Sequence, residues 1–273
     1  MSIKIDFKEK YVAFIDVLGF TEKVNSDKEE DKKHIENYFN LLDDYKAKLE
    51  EVIKAEQTNI ELFAISDSII LTAPNTPDEF YHLLIIIRYL QGESIINGIL
   101  LRGGISFGEI YTVPKKNILV GKGFLKAYSL EELALFPRII IEPSIIPHVN
   151  NDYHHFIEFC NKTEMNTLVH DYNPIYSRLT ENDATFISYA HYIVETDIRR
   201  NNIFYDSRLY PVLNFIKQGL YGKQKNLGKY RWLKKYFHES VEEMKKFKPK
   251  EENQGIHREE YFDQAIKFLD LMS

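Results

Sequence analysis

Two aspartates lie 51 positions apart, each in or at the end of an apolar run: Asp16 closes YVAFID at 11–16, and Asp67 interrupts ELFAISDSIIL at 61–71. A carboxylate placed in such a run is unfavourable by roughly a few kcal/mol unless it is partnered or protonated. A divalent cation can serve two carboxylates at once. Leu18, Gly19, Phe20 and Thr21 follow Asp16 directly and read as a turn into a helix, a place where phosphate groups sit on backbone N–H donors. Two aspartates beside a phosphate cradle point to metal-dependent chemistry on a nucleoside triphosphate.

The elements that must position these groups can be read from the pattern. Residues 11–17 are β-rich and apolar, a buried strand. Residues 20–56 have helical spacing, with a break near Asn25–Asp27. The runs 60–65 and 68–73 flank Ser66-Asp67 as a hairpin with the acid near its tip. A Pro74–Pro77 loop follows, and Thr76 or Asp78 is placed to cap a helix reaching about residue 97. The stretch 99–113 reads as a strand, a tight segment at Gly103-Gly104, and another strand. Residues 121–134 open with glycines and become helical, and 136–144 reads as a strand ended by proline. The order β-α-β-β-α-β-β-α-β predicts an α/β (α+β) domain, a mainly antiparallel sheet with helices on one face. Beyond 144 the pattern weakens. Residues 166–172, 175–179 and 184–190 read as further strands, 208–246 and 256–272 as charged helices, and 249–260 as a loop. This divides the chain into a domain at 8–195 and a helical extension at 200–273.

A chain of 273 residues suits one large domain or a domain with an appendage, and 44% hydrophobic residues suffice for a core. The net charge of −6 argues against a nucleic-acid partner or an anionic membrane surface, whereas a local metal site overrides that charge for a bound nucleotide. Cys160 is the only cysteine, so neither an internal disulfide nor a cysteine zinc cluster forms, and a reducing cytoplasm is expected. The N-terminus carries no apolar signal core, and apolar runs such as 83–90 are too short for a bilayer. His154 and His155 are adjacent rather than a helical turn apart, and read as surface.

Four segments, FIDVLGFT (14–21), ISDSIIL (65–71), LRGGISFGEI (101–110) and GKGFLKAYSLEELA (121–134), resemble in order and spacing the motifs of the class III nucleotidyl cyclases. The likeness covers about residues 11–142 and implies a ferredoxin-like core, here with a C-terminal helical extension. The Ser-Asp-Ser hairpin, the Arg102-Gly-Gly-Ile105 strand, the Ala127-Tyr128-x-Leu130-Glu131 helix, the Phe136-Pro137-Arg138 strand and KYRWLKKYF (229–237) are most similar to one branch, the pyrimidine cyclases of bacterial anti-phage Pycsar systems.

That resemblance implies a homodimer converting UTP to cyclic UMP, or CTP to cyclic CMP, with two Mn²⁺ or Mg²⁺ ions, and a separate effector activated by the product. It assigns Asp16 and Asp67 to the metals with the carbonyl of Val17, and the N–H groups of Gly19, Phe20 and Thr21 to the β- and γ-phosphates. Phe63 stands near the base-reading Lys of purine-using relatives, and an aromatic ring there favours a smaller pyrimidine. Arg102 would meet the base or ribose.

The family's Asn and transition-state Arg fall at Leu125 and Ser129 and are missing. Lys122, Lys126 and Tyr128, on the segment that would reach across a dimer, are candidates to replace them, with Arg138 behind. Lys229, Arg231, Lys234 and Lys235, interleaved with Tyr230 and Trp232, read as decoration of a helix, with closure over the triphosphate as the other possibility. A degenerate, nucleotide-binding regulator is the alternative reading. A polymerase or dinucleotide synthase lacks support, because the chain has no basic tract for a second substrate and no Gly-Gly-Asp/Glu-Glu-Phe signature.

Overall fold

Alternation along the first strand sets the architecture. In β1 (Lys8–Val17), Tyr11, Ala13, Ile15 and Val17 face one side of the sheet and Val12 and Phe14 the other, all of them buried. The computed structural model describes residues 5–149, 176–178, 185–222, 226–246 and 257–272. The chain runs through α1 (Phe20–Val24), α2 (Glu29–Glu56), β2 (Glu61–Ile65), β3 (Ser68–Pro74), α3 (Pro77–Ile96), β4 (Leu101–Val113), β5 (Ile118–Val120), α4 (Lys122–Ala134) and β6 (Ile139–Ile141). It continues with β7 (Tyr176–Arg178), β8 (Thr185–Ile187), α5 (Tyr189–Arg199), α6 (Leu209–Leu220), α7 (Leu227–Lys246) and α8 (Arg258–Asp270). The sheet order is β2-β3-β1-β4-β6-β8-β7, with β5 paired to β4. Only β4–β6 is parallel among these pairings.

The mixed α/β, mainly antiparallel architecture is the expected one. Helices α2 and α3 cover the Tyr11 face. Tyr38, Leu42, Tyr45 and Leu49 recur at helical spacing and form the one buried stripe of the otherwise polar α2. The break between α1 and α2 falls at 25–28, where the sequence places it. Thr76 caps α3 by accepting from the Glu79 N–H at 3.3 Å, with Pro77 in the first turn. The helices do not keep to one face as expected: the opposite sheet face carries α4, whose Ala127 joins Val12, Phe14, Phe63 and Ile70 in a small cluster, because those strand residues are apolar as well and must be covered.

Four expectations about element bounds are corrected. Residues 101–113 form one unbroken strand, not two strands about a tight segment. Gly103 and Gly104 lie inside that strand because nothing larger fits. A Cβ on Gly103 would come within 2.3 Å of the Phe14 carbonyl oxygen, and one on Gly104 within 2.2 Å of Leu130 Cβ in α4. The next strand is instead the three-residue β5, folded back onto Tyr111–Val113. The strand expected at 136–144 shrinks to Ile139–Ile141, since Pro137 and Pro143 supply no donor to a ladder. The strand expected at 184–190 ends at Ile187, and Tyr189 already begins α5. The helix expected over 208–246 is two helices, α6 and α7. The strand read at 166–172, Cys160 and the His154-His155 pair lie outside the described residues.

A second core forms where α5, α6, α7 and α8 meet, around Tyr189, Ile193, Leu213, Trp232, Phe237 and Phe262. It joins the sheet through Phe186 of β8 and Ile140 of β6. No described helix is long and apolar enough to cross a membrane.

Candidate active site

The carboxylates some fifty residues apart are brought together by strand pairing alone. β1 lies between β3 and β4, so Asp16 stands opposite Ser68 on one side and Arg102 on the other. Asp67 precedes Ser68 in the two-residue turn that joins β2 to β3. Its neighbour Ser66 takes a positive φ of 56°, the left-handed conformation that lets so short a turn close. Ser68 Oγ donates to Asp16 Oδ1 at 3.1 Å.

Asp16 and Asp67 line one open cavity of about 230 Å³ with Val17, Leu18, Gly19, Phe20, Thr21, Glu22, Arg102 and Lys229. Asp16, Val17, Gly19, Phe20, Thr21, Arg102 and Asp67, chosen from sequence, are thus all found in one place. The cavity is smaller than the ~300–1,000 Å³ of a pocket enclosing a whole small molecule. A cavity of this size would enclose only part of a nucleotide-sized ligand.

Burial and then the neighbouring Asp67 charge push the Asp16 carboxyl from 3.8 to about 6, against the opposing effects of Ser68, Arg102 and the Val17 N–H. The guanidinium of Arg102 offsets this only in part and is also paired with Glu131 of α4. Burial raises the Glu131 carboxyl, with Arg102 opposing.

The donor set also decides which ion fits. Two carboxylates and nearby backbone oxygens are hard ligands, and no group of three His, Cys, Asp or Glu side chains able to hold a metal occurs among the described residues. Mg²⁺ and Mn²⁺ suit such a site, since they take one or two carboxylates and complete their shell with phosphate oxygens and water.

The turn after β1 has two roles. Gly19 has φ 80°, so the chain can reverse directly into α1. The N–H groups of Phe20 and Thr21 fall in the first turn, where no helical carbonyl lies behind them. The Phe20 ring points away into the core, edge-on to Tyr38 and Phe39 at 5.6 and 6.3 Å.

The remaining sequence-selected residues lie elsewhere in the single chain. Phe63 is 1% exposed inside the Val12–Phe14–Ile70 cluster. Lys122 faces solvent and pairs with Glu109 at 3.3 Å. Lys126 donates to the Phe107 carbonyl at 3.3 Å and lies 3.5 Å from Glu142. Tyr128 sits edge-on to Phe14 at 5.2 Å and is 46% exposed. Leu125 is 62% exposed, and Ser129 Oγ donates back to the Leu125 carbonyl. These α4 positions do not line the cavity of their own chain. Arg138 is buried in the second core, its Nε donating to the Ala134 carbonyl at the end of α4 and its guanidinium over Phe136 and Phe186.

Lys229, read from the sequence as helix decoration with closure over the triphosphate as the other possibility, lines the cavity. One contributor was not singled out from the sequence. Tyr38 lies under the site, 2% exposed, with no hydrogen-bond partner for its hydroxyl among the described residues; burial and the charges of Asp67 and Asp16 push its phenol up. Tyr38 belongs to the buried stripe of α2, and nothing local in the sequence separates it from Tyr45.

No protein-family model matches the chain, and no curated protein matches it. Similar solved structures are nucleotidyl cyclase domains. The non-canonical dimeric guanylyl cyclase domain of a RhoGC fusion protein from Blastocladiella emersonii is 17% identical at TM-score 0.44, covering 68% of this chain and 98% of its own. The adenylyl cyclase CyaB from P. aeruginosa is 14% identical at TM-score 0.42, covering 55% and 84%. The guanylate cyclase domain of RhGC from Catenaria anguillulae in complex with GTP is 17% identical at TM-score 0.39, covering 54% and 84%.

Proposed function

We propose that this chain is a nucleotidyl cyclase, acting as a homodimer on a pyrimidine nucleoside triphosphate, with UTP as the substrate and cyclic UMP and pyrophosphate as products. The observation that carries the reading is the meeting of Asp16 and Asp67 on the rim of a cavity that also contains the Gly19–Thr21 turn. In the reaction the ribose 3′-oxygen forms a bond to the α-phosphorus as the bond from that phosphorus to the β-phosphate oxygen breaks. The hydroxyl proton is lost and pyrophosphate leaves.

Divalent ions bound with the substrate would lower the pKa of the attacking hydroxyl and neutralise the leaving group. Asp16 and Asp67, with the Val17 carbonyl, would hold them. The N–H groups at Gly19, Phe20 and Thr21 fix the phosphate tail so that attack and departure are in line. The α4 positions Lys122, Lys126 and Tyr128 would come from the second copy, a placement supported by their outward-facing helix and by a cavity that encloses only part of a nucleotide. The choice of uracil or cytosine, and a role as an infection-triggered signal read by a separate effector, rest on the sequence motifs shared with the anti-phage branch.

A second reading has its own observation. Leu125 and Ser129 stand where class III relatives carry an Asn and an Arg, which suits a cyclase homologue that binds nucleotide and regulates a partner without turnover. Incubating the protein with Mn²⁺ and each of the four ribonucleoside triphosphates, and weighing the products, separates the two. One cyclic pyrimidine monophosphate is expected. Tight binding without any cyclic product would favour the regulator.

A further inference from the structure

We infer that the C-terminal helical half completes the phosphate end of this cavity, with Lys229 as a triphosphate-binding residue donated by the same chain. This inference rests on the cavity being a nucleoside triphosphate site.

Spacing on α7 aims the residue. Trp232, Leu233, Tyr236 and Phe237 form its buried stripe, and Lys229 precedes Trp232 by three positions and Leu233 by four. Such neighbours share a helix face. Lys229 therefore stands on the inward side of α7, one turn before the apolar stripe begins, where the helix overhangs the cavity that it lines. Its neighbour Arg231, off that face, is exposed.

The helix is held in place from both directions. Trp232 stacks on Phe136, just after α4, with ring centroids 5.5 Å apart and an interplanar angle of 5°. Leu18, in the turn between β1 and α1, packs against the second core while its N–H donates to the Leu100 carbonyl at 2.8 Å. The phosphate-binding turn and the helix bearing Lys229 thus share one set of apolar contacts.

The chemistry fits a polyanion. Besides Lys229, the ionisable groups on the cavity wall are Asp16, Asp67, Glu22 and Arg102, and Arg102 is engaged by Glu131. Metal ions would be held by Asp16 and Asp67. The tail of a triphosphate needs further positive charge, and a lysine acts there as a point charge on a flexible stem.

The test uses the full chain with Mn²⁺ and inorganic tripolyphosphate, titrated calorimetrically, in parallel with steady-state kinetics on whichever triphosphate is turned over. Lys229→Met is expected to weaken tripolyphosphate binding at least tenfold and to raise KM by a similar factor with a smaller change in kcat. Lys229→Arg should recover most of the affinity. Arg231→Met, the charge control, should change it less than twofold. The inference is overturned if K229M binds tripolyphosphate as tightly as the wild type, if K229M and R231M weaken it equally, or if the wild type does not bind it. A wild type that binds tripolyphosphate through Lys229 yet cyclises no nucleotide would refute the cyclase reading and leave this one standing.

Discussion

The two halves of the molecule treat buried charge in opposite ways. In the helical half the buried carboxylates Asp197 and Glu195 have close partners. Asp197 accepts from Asn202 Nδ2, the N–H groups of Arg208 and Leu209, and the Tyr261 hydroxyl, all at 2.9–3.0 Å. Glu195 is met by Arg88, which reaches over from α3 beside the sheet to pair with it at 3.3 Å and to donate to the Ser188 carbonyl at 3.1 Å. At the end of the sheet, Asp16 and Asp67 line one cavity with like charges, and the Arg102 guanidinium beside them is paired with Glu131. A fold that satisfies buried charge in one region and leaves like charges together in another marks the second as the place kept for something else.

The largest effect should come from breaking the charge pair itself. Asp16→Asn is expected to lower turnover by about a thousandfold or more, since metal-borne charge stabilisation is worth several kcal/mol. Product formation in Mn²⁺ should fall while the circular dichroism spectrum stays that of the wild type. Retained turnover in D16N would end the metal-site reading.

Next in size is the reverse experiment in the helical half. Asp197→Ala strips four donors of their shared acceptor and should cost about 3 kcal/mol or more of stability, read as a lower urea midpoint. An unchanged midpoint would mean that the two halves do not differ as described.

The pH dependence should sharpen the contrast, because its sign differs between the halves. Asp16 has a folded pKa of about 6 against 3.8, so its contribution to stability is fully present below 3.8 and is lost as pH rises through 6. At pH 7.5 without metal, D16N should therefore be more stable than the wild type by about 1 kcal/mol, allowing for partial exposure, with the gap closing near pH 4.

His191 behaves oppositely. Burial, and then the Arg88 charge, push it from 6.5 to about 3, so its contribution is present above 6.5 and lost as pH falls towards 3. The neutral ring shares a hydrogen bond with Ser188 Oγ at 2.5 Å, and the 3.6 Å approach of Glu243 is accordingly not an ion pair. His191→Asn should flatten the acid side of the stability profile and leave the response to D16N intact.

The smallest effect is expected at Tyr38. Removing its unsatisfied hydroxyl in Tyr38→Phe should leave stability unchanged or raise it by up to about 1 kcal/mol. A loss of more than that would reveal a hydrogen bond to the carboxylates in solution.

The part of the site nearest the strands was legible from residue order, because its determinants are local. Alternation identifies β1, the Ser66-Asp67 turn fixes the hairpin, and Thr76 before Pro77 marks the start of α3. The glycine pair in β4 misled because glycine signals both a chain break and a close approach, and only the position of Phe14 and Leu130 decides between them. Lys229 was visible as part of a basic run on a helix. Which neighbour the first turn of that helix overhangs depends on the packing of Trp232 and Leu18 across the chain, and no local pattern carries that. Tyr38 was hidden for the same reason.

Gly103 and Gly104 also limit how this protein can change. With a carbonyl oxygen on one side of the strand and a helix side chain on the other, neither position accepts even a methyl group without moving backbone or helix. The spacing between β1, β4 and α4 is therefore frozen at its minimum. Mutational drift, or an engineer seeking a new specificity, must work from the outer surface of α4 and from the loops, because the strand beneath has no room left to vary.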